Sequence, residues 1–85
     1  VSLPAHLAAS GTTDGAEVRV VLQRIAEPVQ VDVDLLARFA EAGVFPRQTL
    51  VVAVNDGAVT GSGDGADTVL DLPDDVARHL FVTAD

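Results

Sequence analysis

Cysteine is missing from this chain of 85 residues, and so are tryptophan, tyrosine and lysine. Each absence closes a class of function. Without cysteine there is no disulfide, no thiolate zinc site and no thiol nucleophile. Small secreted domains are often stapled by disulfides, so the gap favours a cytoplasmic setting. Without tryptophan and tyrosine the usual stacking platforms for single-stranded nucleic acid are gone. The cations are five scattered arginines, Arg19, Arg24, Arg38, Arg47 and Arg78, in a chain of net charge −8. A phosphate backbone is gripped by a concentrated basic face, and an anionic membrane surface by a polybasic patch. The sequence has neither, so no direct nucleic-acid contact and no membrane contact are expected. No apolar run approaches the ~18 residues that span a bilayer, and no signal peptide is visible.

What is present is a hydrophobic fraction of 48% with only three aromatics, Phe39, Phe45 and Phe81. Residues 1–85 therefore read as one small domain with a thin core of Val, Leu, Ile and Ala. Val1 to Leu3 reads as a short first strand, and Ala8 to Ala16 as a polar surface loop. Glu17 to Ile25 reads as a strand, with Val18, Val20 and Leu22 on one face and Arg19 and Gln23 on the other. Asp32 is a helix N-cap with Asp34 in the first turn. Leu35, Leu36, Phe39 and Ala40 then make an apolar stripe, and Gly43 and Pro46 end the helix. The spacing predicts a helix over 33–42.

Leu50 to Val54 is an apolar strand, and Asn55-Asp56-Gly57 signals a hairpin. Ala58 to Thr60 starts the return strand. Residues 61–67, GSGDGAD, read as a flexible loop or bulge, and Thr68 to Leu72 as a resumed strand. Pro73-Asp74-Asp75 opens a helical turn over 73–79. Leu80 to Thr83 is the last strand. One helix and one helical turn on short antiparallel strands predict a mainly-β domain, a small partly open barrel.

Few residues carry chemistry. Ser62 to Val69 approaches one copy of a calcium β-roll repeat, but that motif works only in tandem. Gly61, Gly63 and Gly65 lack the spacing, the following helix and the Lys-Ser/Thr of a phosphate loop. His6 and His79 stand alone, with no serine nucleophile arranged beside them. Capping and dipole effects account for Asp32, Asp34, Asp74 and Asp75. No catalytic constellation is expected, so the chain does not read as an enzyme.

The exception is Glu27-Pro28-Val29-Gln30. It places a carboxylate and a carboxamide three residues apart, between the strand at 17–25 and the helix at 33–42. A straight strand sends such positions to opposite faces. Pro28 disfavours a regular strand, and a bend there brings both oxygens to one side. On spacing alone both residues read as solvated polar groups of a loop; as oxygen donors on one bend they would form half of a site for a hard or borderline divalent metal.

Three stretches carry a resemblance: VQVDVDLLARFAEAGVFP (29–46), TLVVAVNDGAVT (49–60) and LDLPDDVARHLFV (70–82). Together they resemble the C-terminal SH3-like domain of iron-dependent repressors, the diphtheria toxin repressor and iron-dependent regulator family. The similarity covers residues 17–85. The ferrous-transport accessory protein A domains look like a sister family with the same fold. The resemblance implies an SH3-like barrel that is the third domain of a longer, homodimeric repressor. It implies that Glu27 and Gln30 fall on the positions that lend a Glu and a Gln to an ancillary metal site. The metal is Fe²⁺ in the first instance and Mn²⁺ in the second, and the other ligands come from the dimerisation domain. The partners implied are that domain and a Pro-rich tether, with DNA bound elsewhere in the parent chain. Arg47 departs from the pattern, because relatives often carry glycine after Pro46. The alternatives are a stand-alone accessory domain of a ferrous iron transporter and a generic SH3-like interaction module.

Overall fold

The computed structural model describes residues 1–27 and 29–85. The chain opens with a helix, α1, Leu3–Ala9, where a strand was expected. Ser2 caps it, its hydroxyl accepting from the Ala5 N–H at 3.4 Å, and Pro4 sits in the first turn, where a missing N–H costs nothing. Leu3 and Leu7, one helical turn apart, face the core, and Leu3 is fully buried. The extended character of the first residues is limited to one bridge, Ser2 to Phe81, and a hydrogen bond from the Val82 N–H to the Val1 carbonyl at 2.8 Å. The surface loop thus begins at Ser10, not at Ala8.

Strand β1, Glu17–Ile25, keeps the bounds read from its alternation. Helix α2, Val33–Glu41, follows a 3₁₀ turn at Val29–Val31, with the Asp32 carboxylate accepting from the Leu35 N–H at 3.0 Å. Its inner stripe is Leu35, Leu36 and Phe39, continued by Ala42, while Ala40 is exposed. Strands β2, Thr49–Asn55, and β3, Ala58–Gly63, form a hairpin about Asp56 and Gly57, both at positive φ (51° and 79°). Two positive φ values in a two-residue loop define a type I′ turn, whose twist matches the strands it joins. Strand β4, Leu70–Asp71, helix α3, Asp74–Ala77, and strand β5, Leu80–Ala84, complete the chain.

All strand pairs are antiparallel, in the order β4-β3-β2-β1-β5. The fold is mainly β, a small barrel-like domain built on one five-stranded antiparallel sheet, with α2 and the two shorter helices packed on it. The core brings Val20 and Leu22 of β1 against Phe39, Leu50, Val52, Leu80 and Val82, and among the described residues no buried side chain is polar. The sheet is therefore held by apolar burial, with charge confined to the surface.

Two expectations for the glycine-rich stretch are corrected. Gly61 to Gly63 belong to β3, paired with Val52, Val51 and Leu50, and only residues 64–69 form the loop. The later strand shrinks to Leu70–Asp71. These glycines serve close approach, not flexibility. A Cβ on Gly63 would run into the Gly43 carbonyl, 2.7 Å from its carbon, and one on Gly61 would sit 2.8 Å from Leu72 Cδ1. Gly43 itself has φ 71°, as a helix-ending residue must when the chain reverses.

Another reversal is less comfortable. Phe45-Pro46-Arg47-Gln48 closes with the Gln48 N–H donating to the Phe45 carbonyl at 3.2 Å, and Arg47 has φ 70°. Pro at the second position and positive φ at the third describe a type II turn, which favours glycine where Arg47 stands.

Two substitutions test this backbone account by urea denaturation. Gly63→Ala is expected to lower stability by about 2 kcal/mol or more, because backbone, not a flexible side chain, blocks the new methyl. Arg47→Gly is expected to raise it by up to about 1 kcal/mol, the left-handed penalty less the entropy of a freer unfolded chain. A neutral Gly63→Ala would contradict the close approach, and a destabilising Arg47→Gly the strained turn.

Candidate functional site

The placement of Glu27 and Gln30 begins inside β1. Against β5, Leu22 pairs with Val82, Arg24 with Phe81 and Ile25 with Leu80, so the register slips by one residue at Gln23. This β-bulge changes which residues face inward. Regular alternation would send Arg24 to the core after Val20 and Leu22. The bulge turns Ile25 inward and leaves Arg24 outside, its guanidinium 4.2 Å from the centre of the Phe81 ring. Gln23 donates from its amide to the Thr83 hydroxyl at 3.0 Å on the same outer surface.

The strand then ends at a fixed place. The Ala26 N–H donates to the His79 carbonyl at 2.8 Å, tying the exit of β1 to the junction of α3 and β5. The Gln30 N–H donates back to the Ala26 carbonyl at 3.1 Å, and the Asp32 N–H to the Val29 carbonyl at 3.1 Å. Val29, 4% exposed, plugs this turn into the core. Glu27 and Gln30 are both exposed, on either side of the buried valine. The bend assigned to Pro28 itself lies outside the described residues.

Chemically, the turn offers a carboxylate and an amide carbonyl to solvent. Both are oxygen donors suited to hard or borderline divalent ions. Among the described residues no group of three or more His, Asp or Glu side chains gathers to hold an ion. His6 lies in α1 and His79 between α3 and β5.

Two further surface features were not legible beforehand. Arg19, on the outer face of β1, makes a forked pair with Asp64, at 3.1 and 2.8 Å, and reaches Asp85 at 3.3 Å. It holds the loop after β3 and the last residue of the chain to the middle of the sheet. Elsewhere a groove of about 540 Å³ opens between α1, α3 and the β3–β4 edge. Its α1 wall was hidden by the strand expected at residues 1–3, although the Ser2 cap, Pro4 and the Leu3–Leu7 spacing were available to mark it.

No family model matches the chain, and a search of the curated proteins finds no match to it. Among the described residues no helix is long and apolar enough to cross a membrane.

The Arg19 cluster makes a titration prediction. The guanidinium, by hydrogen bonding first and charge second, holds the Asp64 carboxyl below its ordinary value. A carboxylate whose folded value is depressed contributes stability above its unfolded value and loses it as the pH falls through the folded one. ¹³Cγ NMR should therefore show Asp64 titrating below the ordinary aspartate range. In Arg19→Gln its midpoint should return to that range. An unchanged midpoint in the variant would remove Arg19 as the cause.

Proposed function

We propose that this chain is the C-terminal SH3-like regulatory domain of a metal-dependent transcriptional repressor, with Glu27 and Gln30 as its contribution to an ancillary divalent-metal site. The observation that carries the reading is the pair itself. Both residues are exposed on one turn, directly after the long strand, where the resemblance puts the two donors. The barrel agrees with the fold the resemblance implies. Arg47 adds support, since it holds the left-handed conformation at the position where relatives carry glycine.

In this role the domain performs no covalent chemistry. Glu27 and Gln30 would hold one side of the ion, Fe²⁺ in the first instance or Mn²⁺, while side chains of the parent's dimerisation domain hold the other. The bound ion supplies a positive charge shared by the two domains. The domain then favours the DNA-competent arrangement only by the difference in its affinity for the two arrangements. DNA contact is left to another part of the parent. In this domain Arg19 is committed to Asp64 and Asp85, and Arg24 to Phe81. The transporter-accessory alternative gives Glu27 and Gln30 no task, which is why it ranks second.

Mn²⁺ titrated into the ¹⁵N-labelled chain tests the assignment. Paramagnetic broadening is expected to centre on residues 27–30, with a dissociation constant of about 1 mM, as for an open site with few protein ligands. Glu27→Ala with Gln30→Ala should abolish that broadening and leave the rest of the spectrum in place. In the full-length parent the same pair should weaken metal-activated DNA binding. Broadening centred on other carboxylates would overturn the ligand assignment, and tight stoichiometric binding by this chain alone would overturn the half-site.

A further inference from the structure

The groove between α1, α3 and the sheet is physically separate from the Glu27–Gln30 turn. Pro4 and Leu7 of α1, Val59 of β3 and Pro73 line it with accessible apolar surface, above the buried Leu72 and Ala77. Two exposed carboxylates, Asp71 and Asp74, stand at its border. None of its lining residues is cationic. Asp56, held by a hydrogen bond from its N–H to the Asp14 carboxylate, adds negative charge beside Gly57 at one end. The chain as a whole carries −8, so this border sits in a field that repels anions and attracts cations.

Shape selects a polypeptide as the occupant. Strand β4, which supplies Asp71, is the end strand of the sheet, and among the described residues no strand pairs its outer side. An exposed edge presents backbone donors and acceptors that an extended chain can use, while alternate side chains fall into the neighbouring groove. An extended segment lying in the groove beside β4 would lay alternate side chains on Leu7 and Val59. Its other side chains would reach the bordering carboxylates.

We propose that this groove docks an extended segment of a partner polypeptide in which apolar side chains alternate with arginine or lysine. The apolar residues lose water against the floor. The cations meet Asp71 and Asp74, which sets the register and selects against acidic segments. One wall is α1, which lies outside the 17–85 stretch that carries the resemblance. The inference therefore stands apart from the metal site and survives its loss.

Three short acetylated peptides, titrated into the ¹⁵N-labelled chain at low and at moderate salt, test it: alternating leucine–arginine, leucine–glutamate and serine–arginine. The leucine–arginine peptide is expected to shift the amide signals of Leu7, Val59, Leu72 and Ala77 saturably, and more weakly as salt is added. The other two should leave those signals unsaturated. Asp71→Asn with Asp74→Asn should weaken binding about fivefold, the size of two exposed charge pairs. Ala58→Arg, an exposed groove position, should abolish it. Equal binding of the serine–arginine peptide would reduce the effect to net charge and overturn the proposal. So would equal binding of the leucine–glutamate peptide, or shifts that avoid the groove. The peptide series needs no variant, so a folding defect in either variant leaves the test intact.

Discussion

The contact on which this small barrel depends is backbone against backbone, where Gly43 at the end of α2 meets Gly63 at the end of β3. The Gly63 N–H donates to the Ala42 carbonyl at 2.8 Å, and a methyl group on Gly63 would run into the Gly43 carbonyl. A helix is ordinarily held off a strand by the side chains between them. Here their absence lets α2 end directly on the sheet and brings Phe39, Ala42 and Val44 down into the core. An 85-residue chain with three aromatics has little apolar volume to spend on spacing its layers apart. Close approach through glycine is how a core of Val, Leu and Ala reaches interior density.

That contact fixes one end of α2, and the bulge at Gln23 fixes what precedes its other end. The bulge turns Ile25 toward Leu80, the Ala26 N–H is then captured by His79, and Val29 is driven into the core. Between these anchors Glu27 and Gln30 have only the solvent side left to them. Their exposure is thus a consequence of core packing on each side of them. A single slip of register in β1 would exchange the faces of every residue from Arg24 onward.

Much of this was readable in advance, for identifiable reasons. Glu17 to Ile25 alternates, Asp32 precedes an apolar stripe, and Asp56-Gly57 supplies the two residues that tolerate positive φ, so β1, α2 and the hairpin follow from local chemistry. The bulge left a weaker trace, in the spacing of Leu22 to Ile25, which is three where alternation demands two. Helix α1 is seven residues long, too short for periodicity to outweigh the strand-like look of Val1 to Leu3. The glycines at 61 and 63 misled because glycine marks both a loop and a place where another backbone comes near. Sequence cannot separate these uses, since Gly43, the partner of Gly63, lies twenty residues earlier in the chain and Leu72, beside Gly61, lies eleven later. For the candidate site, the exposed position of Glu27 and Gln30 between β1 and α2 was legible. The hydrogen bond from Ala26 to His79 that positions them joins residues too distant in sequence to be seen.

On the proposed reading, the weakness of two exposed donors is what makes them useful. A domain that bound the ion tightly alone would hold it equally well in every arrangement of its parent, and equal affinity for two states shifts neither. Donors that are insufficient alone gain affinity only when a second domain brings the missing ligands within reach. The affinity that those added ligands supply then favours the assembled state. The groove beside β4 follows the same physics through a different interaction. Its carboxylates are exposed and screened, so charge alone gives little. Its apolar floor is shallow and gives little alone as well. A segment matching both the charge and the apolar spacing gains both at once, and one matching only the charge or only the spacing gains too little to stay.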